Sequence, residues 1–359
     1  MRKMKDYIVR GKKIFVGLED SKRTWKVSCR CEKTEVHYAS MPADYGILRN
    51  YLQKNYPECQ VSVMYEAGFR GFGLYERLTE DGFECVLTPP NKVTQEKDCR
   101  VKTDKVDCKR LAINLENGDY KSCYVPDQEL VADRQISRTL ISVQKKITST
   151  RNQIRKFLDV HWVGEGFPAG SWNKSDYDRL FELELEGPLG FSLNIYKGIL
   201  RYLIDQKKLL EKELEKLTEK ARYAKTFKIF ESAPGIGWFT AIRLVLEWGE
   251  DLSRFKDGKH FASYTGLTGS EYSTGETIRK GSITRQGKSH VRAWLIECSW
   301  IAKSRDPVLL HKFRSVIAGH KKDPYAKQKA IVAVARKLAV RLWRCAVNGE
   351  PYCVGLVET

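Results

Sequence analysis

No apolar run in this 359-residue chain reaches the roughly 18 residues a membrane-spanning helix needs, so no transmembrane segment is expected. The basic N-terminus, MRKMKDYIVRGKK, carries no apolar stretch of the kind that drives secretion, so a cytoplasmic location is expected. The ten cysteines form no C-x-x-C, and no histidine stands at zinc-ligand spacing from a cysteine pair. Scattered through a chain this long, they suit reduced thiols better than a disulfide framework or structural zinc. Acidic residues are the scarce charge: 45 Asp and Glu face 63 Lys and Arg, for a net +18. That imbalance points to a polyanion as partner, most often nucleic acid. Hydrophobic residues make up 42% and aromatics 11%, which excludes wholesale disorder.

Residues 10–128 read as an α/β domain. KIFVGLED, TWKVSC and KTEVHYA are three β-rich runs close enough to form a meander. A helical pattern follows at 43–55, then the apolar strand QVSVMYEA at 60–67, a helix near 70–80, the strand FECVLTP at 83–89 and a helix from Asp104 to Leu115. The order βββαβαβα is that of the ribonuclease-H-like fold.

Residues 129–222 read as a helical hairpin with coiled-coil patterning. Ile136, Leu140, Val143, Ile147, Ile154 and Phe157 keep 3/4 spacing with a polar gap at Thr150, and Tyr196, Leu200, Leu203, Leu210, Leu214 and Leu217 do the same with a gap at Lys207. HWVGEGFPAGSW between them must turn. Such a hairpin is either a stalk or a surface that pairs with a second copy. Residues 223–359 read as a mainly α domain, and between Arg279 and Arg344 hold 17 Lys and Arg against 3 Asp and Glu. Charge that unbalanced favours phosphate contact over a merely solvated face.

Three motifs could carry chemistry. In a ribonuclease-H-like fold, acids at the ends of the first and fourth strands and on a late helix converge. Here these are Glu19-Asp20, Glu66, and Asp104 with Asp107, the last two on one helix face at i, i+3. Their hard oxygens suit Mg²⁺ or Mn²⁺, although Asp104 alone could simply cap its helix. SAPGIGWFTA has the Pro-Gly-x-Gly turn of a helix-hairpin-helix, whose backbone at Gly235 and Gly237 could approach a phosphate, or it is an ordinary tight turn. YTGLTGSEYSTGETIRKGSITRQGKSHVR places Ser273 in a loop or tight turn, with Arg279, Lys280, Arg285, Lys288 and Arg292 available to clamp phosphates. Spacing alone favours a polar DNA-contact loop there.

Together these segments resemble a transposase of the insertion-sequence 110 family, which includes the 116, 902 and 1111 types and the Piv-type DNA invertases. The N-terminal likeness runs through IFVGLEDSK, VMYEAG and KTDKVDCKRLA. The C-terminal likeness runs through APGIG, LSRFKDGKHFASYTGLTGSEYSTGETIRKGSITRQGKSHVR and AVARKLAVRLW. The second block is the more specific. The resemblance implies a RuvC-like domain whose Asp-Glu-Asp-Asp cluster binds Mg²⁺, and a separate domain with a serine nucleophile. Three acids carry over as Glu66, Asp104 and Asp107. The first is a departure: the family's Asp aligns with Glu19 and is followed by Asp20, so Glu19 is taken as the metal ligand with Asp20 as the alternative. The nucleophile carries over as Ser273, followed here by Thr274.

The implied activity is RNA-guided recombination of a mobile element through a covalent phosphoserine. The implied partners are donor and target DNA, a non-coding guide RNA from the same element, and further copies of the chain as a dimer or a dimer of dimers, at the nucleoid when bound to DNA. Two alternatives remain. One is a metal-dependent structure-specific nuclease that uses water. The other is a nucleic-acid-binding scaffold whose acid site has decayed.

Overall fold

The computed structural model describes residues 9–90, 103–163, 166–274 and 277–355, with the side chains of Ser273, Thr274, Ile278 and Lys280 outside that description. The chain divides into two compact units, residues 1–125 and 126–359. Among the described residues no helix is long and apolar enough to cross a membrane.

The first unit is built on alternation. In β1 (Lys13–Glu19) the side chains of Ile14, Val16 and Leu18 are fully buried on one face. The antiparallel meander continues through β2 (Thr24–Cys31) and β3 (Thr34–Pro42). The chain then crosses by α1 (Tyr45–Asn55) to β4 (Gln60–Glu66), and by α2 (Gly73–Glu80) to β5 (Glu84–Thr88), both strands parallel to β1. The sheet order is β3-β2-β1-β4-β5. Leu48 and Leu52 of α1 and Leu74 and Leu78 of α2 pack against Ile14, Val16 and Leu18. The opposite face takes α3 (Asp104–Asn117), whose Leu111 and Leu115 meet Phe15 and Met64. This is the expected element order, and the mixed five-stranded sheet is consistent with a RuvC-like fold.

Gly17 makes the second packing layer feasible. A Cβ there would stand 2.0 Å from the Cys108 carbonyl oxygen and 2.4 Å from the Ala112 nitrogen. The α3 backbone therefore lies directly on the sheet, which no larger residue allows.

The second unit begins with α4 (Gln128–Val160), passes α5 (Lys174–Glu182) and returns along α6 (Gly187–Thr218). Ile147, Ile154 and Leu158 near the end of α4 pack with Leu193 and Leu200 near the start of α6, so the two run antiparallel. The short α5 was not legible as a helix. Its N-terminus is held by a reciprocal capping box between Asn173 and Asp176. Its Leu180 and the preceding Trp172 close the turn over the hairpin. At the other end Leu130, Leu140, Leu214 and Leu217 join the core of the helices that follow.

Those helices are α7 (Ala221–Glu231), α8 (Trp238–Trp248), α9 (Gly258–Thr265), α10 (Ser289–Arg305), α11 (Pro307–Ala318) and α12 (Ala326–Asn348). Every residue of α8 from Ala241 to Trp248 is buried, against α4, α6, α7 and α10, while α12 packs against α7, α9, α10 and α11. A hairpin of β6 (Gly269–Thr274) and β7 (Thr277–Ile283) interrupts the helices.

Candidate functional sites: the acidic end of a sheet and a serine-bearing hairpin

Strand parity decides which acids meet. Because Ile14, Val16 and Leu18 face α1 and α2, Glu19 faces α3. Strand β4 runs parallel with Leu18 opposite Tyr65, so the next residue, Glu66, ends its strand beside Glu19 and shares the α3 face with Met64. Helix α3 is capped by the Thr103 side chain, which accepts from the Val106 N–H, and opens with Asp104 and Asp107 in its first turn. That turn carries the positive end of the helix dipole, which favours carboxylates. Asp107 is buried and Asp104 exposed.

The electrostatics show the convergence. Burial first, then Glu66, Asp20, Asp107 and Asp104, together push the Glu19 carboxyl up to about 7. Asp20 lies one residue beyond the strand, with the opposite parity. Burial pushes its carboxyl up to about 6 against the pull of Arg70, whose Nε is 3.9 Å from Asp20 Oδ2. Arg70 donates to the Ser21 carbonyl and lies over the rings of Trp25 and Phe69. Arg110 stands on the acids themselves, 2.8 Å from Asp107 Oδ1 and 3.6 Å from Glu66 Oε1. Neither arginine was singled out in the sequence. Arg110 was findable, because it follows Asp107 by three residues on the same helix face.

Among the described residues no group of three or more His, Cys, Asp or Glu side chains stands in a metal-ligating arrangement. The donors nevertheless fit a hard divalent cation. All are carboxylate oxygens, they repel one another, and the buried atoms Asp107 Oδ1 and Asp20 Oδ2 accept no hydrogen bond. Arg110 supplies positive charge where such a cation would.

Ser273 was expected in a loop or tight turn. It lies instead in β6, its backbone opposite Ile278, with Thr274 opposite Thr277. The β-branched and aromatic residues of EYST and TIRKGSI explain the strands. Gly275 is outside the described residues. Arg279 of β7 is exposed, as is Arg285, which has a left-handed φ of 55°. Arg292 donates to the carbonyls of Gln286 and Gly287, so it shapes the loop that carries Arg285. Gly235 has a left-handed φ, and a Cβ there would stand 2.6 Å from the Cys298 carbonyl oxygen, which makes it the point of contact with α10. Gly237 is exposed as the N-cap of α8, with open space around it.

Lys288 is bound to Glu247, a residue the sequence reading passed over. Glu247 has a fully buried side chain in α8. It meets Arg138 at 3.2 Å, His290 at 3.3 Å and Arg134 at 3.9 Å as well as Lys288. Burial pushes this carboxyl up, but His290, Lys288 and Arg138 outweigh it and hold the carboxyl well below the usual range. Burial lowers Lys288 to about 8 against the pull of Glu247. The hub ties α4 to the loop before α10. Its one sequence signal is a glutamate inside the apolar run RLVLEW.

A DEDD-type family model described as a transposase matches residues 16–163, which span Glu19, Glu66, Asp104 and Asp107. A second, described as the transposase IS116/IS110/IS902 family, matches residues 227–314, which include Ser273. A Sinorhizobium fredii protein named as a transposase is 31% identical over 290 residues, covering 77% of this chain and 70% of the relative. The chain belongs to the IS116/IS110/IS902 transposase family. Another S. fredii relative named as a transposase is 27% identical over 303 residues, 83% of this chain and 74% of its own length. The transposase for insertion sequence element IS1533 of Leptospira borgpetersenii is 24% identical over 242 residues, 66% of this chain and 70% of that protein. This IS116/IS110/IS902 transposase thus carries a domain of the DEDD type, a type that generally works with a divalent metal.

Proposed function

We propose that this transposase cuts and rejoins DNA through a covalent phosphoserine at Ser273, with Mg²⁺, or Mn²⁺ in its place, held by Glu19, Glu66, Asp104 and Asp107. The observation that carries the proposal is the convergence of these four acids at one end of the mixed sheet, where Glu66, Asp104 and Asp107 all raise the Glu19 carboxyl. Strand parity supports Glu19 over Asp20 as the first acid, because Glu19 shares the α3 face with Glu66.

A bound divalent cation would neutralise the scissile phosphate and stabilise charge on the entering and leaving oxygens. The chain supplies the rest. Ser273 Oγ attacks phosphorus, an O–P bond forms, one bridging O–P bond of the DNA breaks, and the serine proton ends on the departing oxygen. A hydroxyl of the partner strand then attacks the phosphoserine and returns the proton to Ser273. The number of phosphodiester bonds is conserved, so rejoining needs no outside energy source.

Arg279 and Lys280 of β7 and Arg285 of the following loop hold DNA phosphates, with Lys288 and Arg292 fixing that loop. The backbone at Gly235 and Gly237 offers a further phosphate contact. A non-coding guide RNA from the same element selects donor and target by base pairing, while the protein reads backbone and shape. Chemistry then divides among the acid domain at 10–128, the helical stalk at 129–222 and the serine domain at 223–359. The exposed side chains of Phe191, Ile195, Ile199 and Tyr202, at helical spacing along α6, support pairing with a second copy.

The test is covalent trapping. Protein, element-derived RNA, DNA bearing the element ends and Mg²⁺ are combined, denatured and resolved on a gel, with Ser273→Ala in parallel. A DNA-linked protein band that vanishes in the variant is expected. Cleaved but unlinked DNA, unchanged in the variant, would establish the water-using nuclease instead.

A further inference from the structure

We propose that a cavity between the start of α9 and the C-terminal half of α12 binds a single unpaired nucleotide of a nucleic acid strand. The proposal rests on this chain's handling of nucleic acid, but not on the acid cluster or on Ser273.

The cavity measures about 520 Å³, within the range of small-ligand pockets. Lys259, Arg336 and Arg344 line it, all exposed. Lys259 and Arg336 form no ion pair with any described residue. The one acid present, Asp257, is already engaged: its Oδ1 accepts from the His260 backbone N–H at 2.8 Å and stands 2.8 Å from His260 Nδ1. The site therefore keeps an excess of positive charge. Its apolar wall is Val340 with Trp343. The indole is fixed in place, because Nε1 donates to the Leu252 carbonyl at 3.0 Å. Gly258 brings α9 down onto α12, since a Cβ there would stand 2.8 Å from Val340 Cγ1.

A held indole beside three cations matches a nucleotide, a flat π-face joined to a phosphate. A paired duplex offers phosphates but no isolated base, so the pocket's apolar wall selects an unpaired one.

The full chain is tested without metal, so no cleavage intervenes. Fluorescence anisotropy at fixed salt measures Kd for three hairpin duplexes: fully paired, with one unpaired nucleotide, and with an abasic unit at that position. DNA and RNA versions of each are used. The chain is expected to prefer the unpaired nucleotide by about tenfold, a typical worth for one stacked base. The abasic unit should remove that preference. Arg336→Glu/Arg344→Glu should abolish it, whereas Lys321→Glu/Lys322→Glu, at two exposed lysines between α11 and α12 that do not line the cavity, should weaken all probes alike and leave it intact. A preference seen only with DNA or only with RNA supports the pocket and names its source. Equal binding of all three probes by the unmodified chain overturns the proposal, and so does equal weakening of all three by the Arg336/Arg344 variant. Neither result bears on the phosphoserine, which covalent trapping reads separately.

Discussion

Glu19 illustrates how one position joins a local rule to a shared field. Its carboxyl sits near 7, not 4.5, because it is half-buried and faces other acids. An acid raised in the folded state opposes folding as it ionises. In the metal-free protein that cost is small near pH 4.5, grows as pH rises through about 7, and is complete above it. Glu19→Gln should therefore stabilise the metal-free chain at pH 8 by about 1 kcal/mol after solvent screening, and much less at pH 5. Thermal unfolding at the two pH values checks this, and a variant destabilised more at pH 8 would refute it. Added Mg²⁺ should raise Tm for the unmodified chain and for Asp20→Asn, but little for Glu19→Gln. The acids at 19, 66, 104 and 107 could be singled out because each ends a recognisable strand or lies in the first turn of a helix. Arg70 could not, because its partner Asp20 lies across the fold and leaves no spacing signal, whereas Arg110 left one in its i, i+3 spacing from Asp107.

Among the elements, α3 shows how a helix is set against a strand. Its register on β1 depends on Gly17, where the Cys108 carbonyl approaches too closely for any Cβ. Gly17→Ala must lift the helix and carry Asp104 and Asp107 away from Glu19. A loss of about 3 kcal/mol, at the upper end for overpacking, is expected, together with loss of the Mg²⁺-induced rise in Tm. Unchanged Mg²⁺ stabilisation in a folded variant would count against a metal role for α3. The order of elements in this unit was readable, because alternation and helical periodicity are local properties. The β6–β7 hairpin was harder. Its many small and hydroxyl residues suggest a loop, yet Ser273 is paired with Ile278 across the strands. Helix α5 was missed for a related reason: Gly and Pro just before it signalled only a turn, while the Asn173–Asp176 cap and the burial of Trp172 and Leu180 make a helix there.

For the molecule as a whole, charge is the simplest guide. The segment from Arg279 to Arg344 holds 17 basic and 3 acidic residues, so most of the net +18 lies late in the chain. Affinity for duplex DNA should fall steeply with salt, with a log–log slope of about −4 or steeper, since each neutralised phosphate contributes about −0.9. A slope near −1 would mean that the excess charge does not contact phosphate. Not every base in this segment is free to do so. Lys288 is committed to Glu247, and Arg341 to Asp306 at 3.1 Å.

Composition, strand alternation and helical periodicity were enough to read a basic chain with an α/β unit, a helical hairpin and a mainly α region, while its family was read from the resemblance of its motif blocks. These depend on interactions between residues near one another in sequence, or on sums over the whole chain. The face shared by Glu19 and Glu66, the approach of Arg110 to Glu66, the buried Glu247 hub and the Trp343 cavity emerged only in three dimensions. Each is made by groups far apart in the chain, and their contacts are decided by how the helices and strands pack.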